Sequence, residues 1–233
     1  MTIDFTWDNK SQRYRYKDSG KFVSAEAVRN LSEKYIDQLK TDIGTIADKL
    51  ALGKINVATW EETTARALKE LHINQYLLGR GGLKQVSQRD LCLIGAELKK
   101  EYQYLRGFSQ DILAGTMTKE QFKARVELYV DSAYGTYELG RAESHREAGY
   151  NWERRIPNAA VSCDSCVVYA ARGWEPLGTL PNVGDECECR SNCRCYKEYS
   201  NDHKRPTDSI ISSQWGWVGA SFESFPSIFK ALW

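Results

Sequence analysis

Histidine, methionine and proline are scarce in this chain, at three, two and five of 233 residues. His72, His145 and His203 are scattered, and none stands beside a cysteine at ligand spacing, so a metal site would have to be built on other donors. Neither sign of charge is in excess: 32 Lys and Arg offset 31 Asp and Glu, for a net charge of +1. That balance excludes a protein that coats duplex nucleic acid by bulk charge. Long apolar runs are missing, and mean hydropathy is −0.55, which excludes a membrane-spanning helix. Residues 1–20 carry Asp4, Asp8 and several bases without an apolar stretch. No secretory signal is expected there, and the expected setting is a reducing cytosol. A phosphate loop is also lacking. Gly79-Arg80-Gly81-Gly82 is glycine-rich but has no Lys-Ser/Thr and follows no strand, so it reads as a turn. No Ser-His-Asp signature and no repeat of fixed period appear.

What the chain does have is clustered cysteine. Six of its seven cysteines lie between Cys163 and Cys195. Cys163 and Cys166 form a Cys-x-x-Cys pair; Cys187, Cys189, Cys193 and Cys195 follow as Cys-x-Cys-x-x-x-Cys-x-Cys. Two short-spaced thiol groups on either side of a loop are what a tetrahedral Zn²⁺ site needs, each acting as a bidentate claw. Cys163 and Cys166 are the expected ligands of one half, because no other thiol competes there. Cys193 and Cys195 are expected on the other half, with Cys189 in reserve. The competing reading is a disulfide framework, which suits small secreted chains better than one of this length. Cys92 stands alone and reads as a small buried hydrophobe.

The rest of the chain is organised around helices. Arg13-Tyr14-Arg15-Tyr16 and Lys21-Phe22-Val23 flank Asp18-Ser19-Gly20, which reads as a small hairpin or as a basic arm over residues 1–23. Apolar residues then recur at helical spacing from Val28 to Leu50, with Ser24 as N-cap. Thr59 with Glu62, Ser87 with Asp90 and Thr118 with Gln121 mark further helix starts. The last helix is expected to run from Thr118 to about Gly149. Arg141, Glu143, His145 and Glu147 crowd one stretch of it. They could bind metal or act as acid and base, but read more simply as a solvated face. The expectation is a mainly α (α+β) fold: a helical bundle over 24–150, followed by a small loop-rich cysteine module over 151–200 with short strands, the first around Trp152. Residues 201–233 form a tail rich in large rings, with Trp215, Trp217, Phe222, Phe225, Phe229 and Trp233. Each ring brings ~150–250 Å² of surface, so the tail is expected to dock on a partner, with folding back onto the chain's own helices as the alternative.

One order of features carries a resemblance. A long helical region is followed by Arg141-Ala142-Glu143, a strand around Trp152, Cys163-x-x-Cys166, a loop with Gly173 and Pro176, and finally Asn192-Cys193-Arg194-Cys195. This resembles the head morphogenesis domain of phage Mu F-like minor capsid proteins, over roughly residues 60–200. The cysteine portion carries the specificity; the helical portion does not. The opening with Arg13-Tyr14-Arg15 and Gly20-Lys21-Phe22-Val23 is also similar to such head proteins. In one respect the chain departs. Many members place His-Pro before the final Cys-x-Cys, whereas this chain has Arg190-Ser191-Asn192, which removes a histidine ligand and favours Cys189 in its place.

The resemblance implies a virion protein of a tailed phage, in or near the head, assembled in the host cytoplasm. It implies association with the portal protein or the major capsid protein, and a part in head assembly or genome packaging and delivery. No membrane and no small-molecule substrate are expected. The thirty or so residues after the module are too few for a catalytic domain of ordinary size, so the expectation is a non-enzymatic protein. Two other classes compete. A zinc-ribbon nucleic-acid-binding module would meet packaged DNA through a local patch of Arg190, Arg194, Lys197, Lys204 and Arg205. A metal hydrolase would need three protein ligands and an open water position, which an all-thiolate site does not offer.

Overall fold

Capping side chains set where the helices begin. The computed structural model describes residues 4–202; the six tail aromatics, His203, Lys204 and Arg205 lie outside them. Ser24 accepts the Ala27 N–H and opens helix α1 (Ala25–Ala51). Helix α2 (Val57–Arg80) starts on Asn56, whose side chain accepts from the Thr59 N–H. Thr59 with Glu62 is therefore not the cap: Asn56 reaches the free N–H groups one turn earlier. The boxes at Ser87 with Asp90 and Thr118 with Gln121 both form, opening α3 (Gln88–Leu113) and α4 (Lys119–Asp131). The helix expected to run on to Gly149 is instead two. After Asp131 the Ser132 hydroxyl donates to the Tyr129 carbonyl at 2.8 Å, a back-bond that bends helices, and α5 (Ala133–Glu147) sets off from there.

The N-terminal segment is a three-stranded antiparallel sheet: β1 (Phe5–Asp8), β2 (Arg13–Tyr16) and β3 (Phe22–Val23). Its alternation buries Phe5, Trp7, Tyr14 and Val23 against the helices and leaves its arginines outside. The basic-arm reading gives way to a docked sheet, because Tyr14 Oη donates to the Gly79 carbonyl and Trp7 N–H to that of Gly81.

The bundle turns on the crossing of α2 and α5. Gly79 meets the backbone of Tyr137 and Arg141, and Gly140 meets that of Tyr76 and Arg80. Each helix thus presents a glycine to the other's main chain, so the two approach more closely than side chains would permit. Towards the other end of α2, Trp60, Phe108 and Phe122 form an aromatic cluster with centroids 5.2–5.6 Å apart. On α3 the inward residues are Ile94, Leu105 and Phe108. Cys92 is exposed, not buried as expected: it falls beside exposed Leu91 on the outer side of that stripe.

The C-terminal module is less loop-like than its glycines and prolines suggest. Strands β4 (Trp152–Ile156), β5 (Glu175–Pro176) and β6 (Tyr196–Ser200) form an antiparallel sheet in the order β5-β4-β6, and α6 (Asp164–Ala171) fills the connection. The chain up to Asn201 is one compact unit. Cys166, Val183, Cys187, Cys193 and Cys195 share a single core with Trp60, Tyr134 and Tyr137.

Replacing Gly by Ala inside a helix ordinarily stabilises, by about 1 kcal/mol. Gly44, with open space where a Cβ would stand, should follow that rule. Gly140→Ala should do the opposite and destabilise by about 1–3 kcal/mol, the usual cost of overpacking. Urea unfolding of the two variants beside the parent checks the sign; stabilisation by both would remove the close crossing.

Candidate metal centre

Helix α6 brings in the first two thiols. Cys163 is its N-cap residue, with extended backbone, and Cys166 sits in its first turn, fully buried. The N–H groups at a helix start favour negative sulfur. A knuckle supplies the others. Arg190 N–H bonds the Cys187 carbonyl, Asn192 N–H that of Cys189, and Cys193 N–H that of Arg190. These tight turns, with Arg190 at φ 43°, fold the Cys187–Cys189 pair back over Cys193. Cys195 follows at the entry to β6.

The knuckle is held against the bundle by buried charge. Lys197, on β6, donates to Glu153 of β4 at 3.0 Å and to the Leu180 carbonyl at 2.8 Å. Glu153 also accepts the Gly178 and Leu180 N–H groups at 3.1 and 2.9 Å. Arg155 binds the Pro181 and Asn182 carbonyls. Together they pin the loop that leads into Cys187. On the bundle side, Glu138 of α5 pairs with Arg141 at 2.7 Å and accepts the Lys197 N–H at 3.2 Å. Arg141 itself donates to the Lys197 carbonyl at 3.3 Å. Arg194, between the last two ligand-spaced cysteines, pairs with Asp131 at the end of α4, which also holds Lys40 at 2.9 Å.

The residues read as a solvated face are therefore largely inside. Arg141 and Glu143 are buried, and Glu147 pairs with buried Arg80 at 2.8 Å. Arg141 pairs with Glu138 along α5, Glu147 with Arg80 of α2, and Glu143 with Arg89 of α3 and Arg146. His145 stacks on Tyr199 at 4.0 Å and contacts the Arg141 carbonyl through Nδ1; burial holds it neutral, down at about 3. His72 bonds Thr136 and is held by burial at about 4. Both are structural.

All six clustered thiols come together. Cys166, Cys187, Cys189 and Cys193 have their sulfurs within 4.8 Å of one another and could hold a metal ion. The closest approaches are 3.5 Å for Cys187–Cys189, 3.6 Å for Cys166–Cys189 and 3.7 Å for Cys166–Cys193. Cys163 stands beside them, 3.4 Å from Cys189, and Cys195 lies next to Cys193 and Cys166. Of the cysteines that the spacing marked, Cys163 and Cys195 stand outside the compact four. The compact four adds Cys187, which the spacing left aside, and takes in Cys189, which it held in reserve. The pairing could not be read from spacing because the left-handed turn at Arg190 decides which sulfurs face inward.

Packing sets the thiol ionisation. The Cys195 S–H beside Cys193 holds that thiol down at about 4, against the effect of burial. Burial pushes Cys166 up to about 12. Burial raises Cys189 as well, and hydrogen bonding to the Cys193 sulfur raises Cys195 above the ordinary thiol range. Burial would raise Cys163 too, but the N–H groups of Cys166 and Cys189 outweigh it and bring it below its ordinary value. Adjacent thiolates repel, so one ionises at its neighbours' expense until a cation joins them.

Cys189 and Cys193 face a groove of about 940 Å³ between α3, α4 and the knuckle. Glu101 also lines it. Burial raises the Glu101 carboxyl to about 7, which the Ser132 hydroxyl opposes and nearby Glu97 reinforces. Comparison with protein-family models, with curated proteins and with solved structures finds no match.

The Glu101 shift has a definite sign. A carboxyl whose folded pKa lies above its unfolded value contributes stability below pH 4.5 and loses it as pH rises through 7. Glu101→Gln should therefore raise stability by roughly 1–3 kcal/mol at pH 8 and leave it nearly unchanged at pH 4. Urea titrations at the two pH values check this; equal effects at both would place the carboxyl in water.

Proposed function

We propose that this chain is a structural, non-enzymatic minor capsid protein of a tailed phage, of the Mu F-like head morphogenesis kind, whose cysteine cluster holds Zn²⁺. The observation that supports this reading most is where the motif residues converge. Arg141, the strand from Trp152, Cys163-x-x-Cys166 and Cys193-Arg194-Cys195 are far apart in sequence. They meet at one joint, where Arg141 holds β6 and Arg194 holds α4. The residues that carry the resemblance are thus the ones that fasten the module to the bundle.

Zinc suits this donor set. Zn–S bonds of ~2.3 Å at tetrahedral angles put the sulfurs about 3.8 Å apart, close to the three nearest contacts of 3.5–3.7 Å in a group whose sulfurs all lie within 4.8 Å. Soft thiolates favour zinc over harder ions. A site of thiolates alone is the closed, structural kind, which argues for a brace and against a metal hydrolase. The nucleic-acid reading loses two of its contacts: Lys197 is buried on Glu153, and Arg194 is taken by Asp131. The partners in this reading are the portal protein and the major capsid protein, reached from the head interior. Among the described residues no helix is long and apolar enough to cross a membrane.

Mass spectrometry of gradient-purified particles from the source phage should find the chain at low copy number in the head; its absence from intact particles overturns the proposal. Elemental analysis of the purified protein should find zinc. Thiols must shed their protons to bind it, so occupancy should be full near pH 7.5 and fall as pH drops toward 5. Chelation should loosen residues 157–200 while the helices of the bundle persist by circular dichroism. Metal-free protein with three disulfides would overturn the zinc assignment.

A further inference from the structure

The groove beside the knuckle holds a buried acid that no ion pair within the described residues neutralises. We propose that this groove, between α3, α4 and the knuckle, docks a basic segment of a protein partner, one lysine or arginine of which enters it and pairs with Glu101. The inference goes beyond the capsid reading and does not depend on it.

The first support is Glu101 itself. It comes from α3, lines the groove and is only 7 % exposed. Lys100, its neighbour in the chain, is spent on Glu97 at 2.9 Å and on Asp185 at 3.7 Å. The Ser132 hydroxyl beside Glu101 has one proton, and the Tyr129 carbonyl at 2.8 Å competes for it. A buried carboxylate so short of donors is a cost to the fold until a cation meets it.

The balance of charge around Glu101 is the second. Arg125, also in the lining, pairs with Asp111 at 2.6 Å. Arg190 is then the one lining cation left to face Glu101, Glu186 and Glu188. The groove is thus acidic where its ion pairs leave charge over. Such a cleft focuses its field and steers a positively charged segment into it.

Shape selects the occupant. At about 940 Å³ the groove stands near the upper end of ligand clefts, more than one side chain fills. Tyr104 and Leu128 also line it, 64 % and 39 % exposed, so apolar surface flanks the acid. Protein interfaces combine aromatic and apolar contacts with a desolvated charge pair. A peptide chain with a basic side chain meets both demands, whereas a small free cation would leave the ring and the leucine wet.

Fluorescence polarisation of the full chain with labelled heptapeptide pools, random except for a central Lys, Arg, Gln or Glu, tests the docking. The Lys- and Arg-centred pools should bind, and Glu101→Gln should weaken them about tenfold or more. The Gln- and Glu-centred pools should not distinguish the two proteins. Leu128→Ala should weaken the basic pools several-fold, while Glu62→Gln, at an exposed acid outside the groove, should leave them unchanged. Silence of every pool overturns the proposal, as does equal binding by the parent and Glu101→Gln, or an equal loss in Glu62→Gln. Glu101-dependent binding of spermidine with the peptide pools silent also overturns it, in favour of a small-cation site.

Discussion

Five sulfurs linked by contacts of 3.4–3.7 Å are the constraint on which the C-terminal half depends. At an effective dielectric near 20, two unit charges at that separation repel by about 5 kcal/mol, more than three pKa units. A bare cluster must therefore stay mostly protonated. The fold nonetheless spends two backbone devices on gathering these thiols: the start of α6 and the left-handed residue at Arg190. A geometry so costly to its own charges makes physical sense as a receptor for a cation.

The cluster does not stand alone. The loop from Gly178 to Asn182 reaches Cys187 only because Glu153, Arg155 and Lys197 occupy its backbone groups. These three ionic side chains lie buried on adjacent strands of one sheet. Burying charge in this way is seldom a net gain in stability, but removing one partner of such a pair is costly. The network therefore works as a registration device. It specifies which residues of β4 and β6 lie opposite one another, and through them where the knuckle closes. Arg141 and Glu138 extend the same logic into α5, and the glycine crossing of α2 and α5 carries it into the bundle.

How much of this was legible in the sequence depended on range. Ser24, Ser87 and Thr118 act on N–H groups two or three residues away, so their helices could be read directly. Thr59 and Glu62 misled because Asn56 offered the same chemistry one turn earlier. The division at Ser132 left no strong mark, since serine sits in many unbroken helices. The cysteine cluster was visible as spacing, but its membership depended on a turn conformation that arginine rarely adopts. The Arg141 stretch was misread for a more general reason. Charge on a helix usually means water, and the partner that makes it buried, Lys197 on β6, is 56 residues further on. No local pattern records such a partner.

That distance bears on why the bundle and the cysteine module share one core. If the module were an independent zinc knuckle, its inner surface would face only its own strands. Instead Val183 packs against the backbone of Gly135, where an added side chain would collide with its carbonyl, and Asn182 donates to the Gly135 carbonyl at 3.2 Å. Arg194, flanked by two cluster cysteines, spends its guanidinium on Asp131, the residue at which α4 ends and the chain bends into α5. Cluster formation and the angle between two bundle helices are thus mechanically joined. A metal held by the knuckle would fix Arg194, and Arg194 meets the residue where the bend begins, so such an ion would brace the bundle as well as the module.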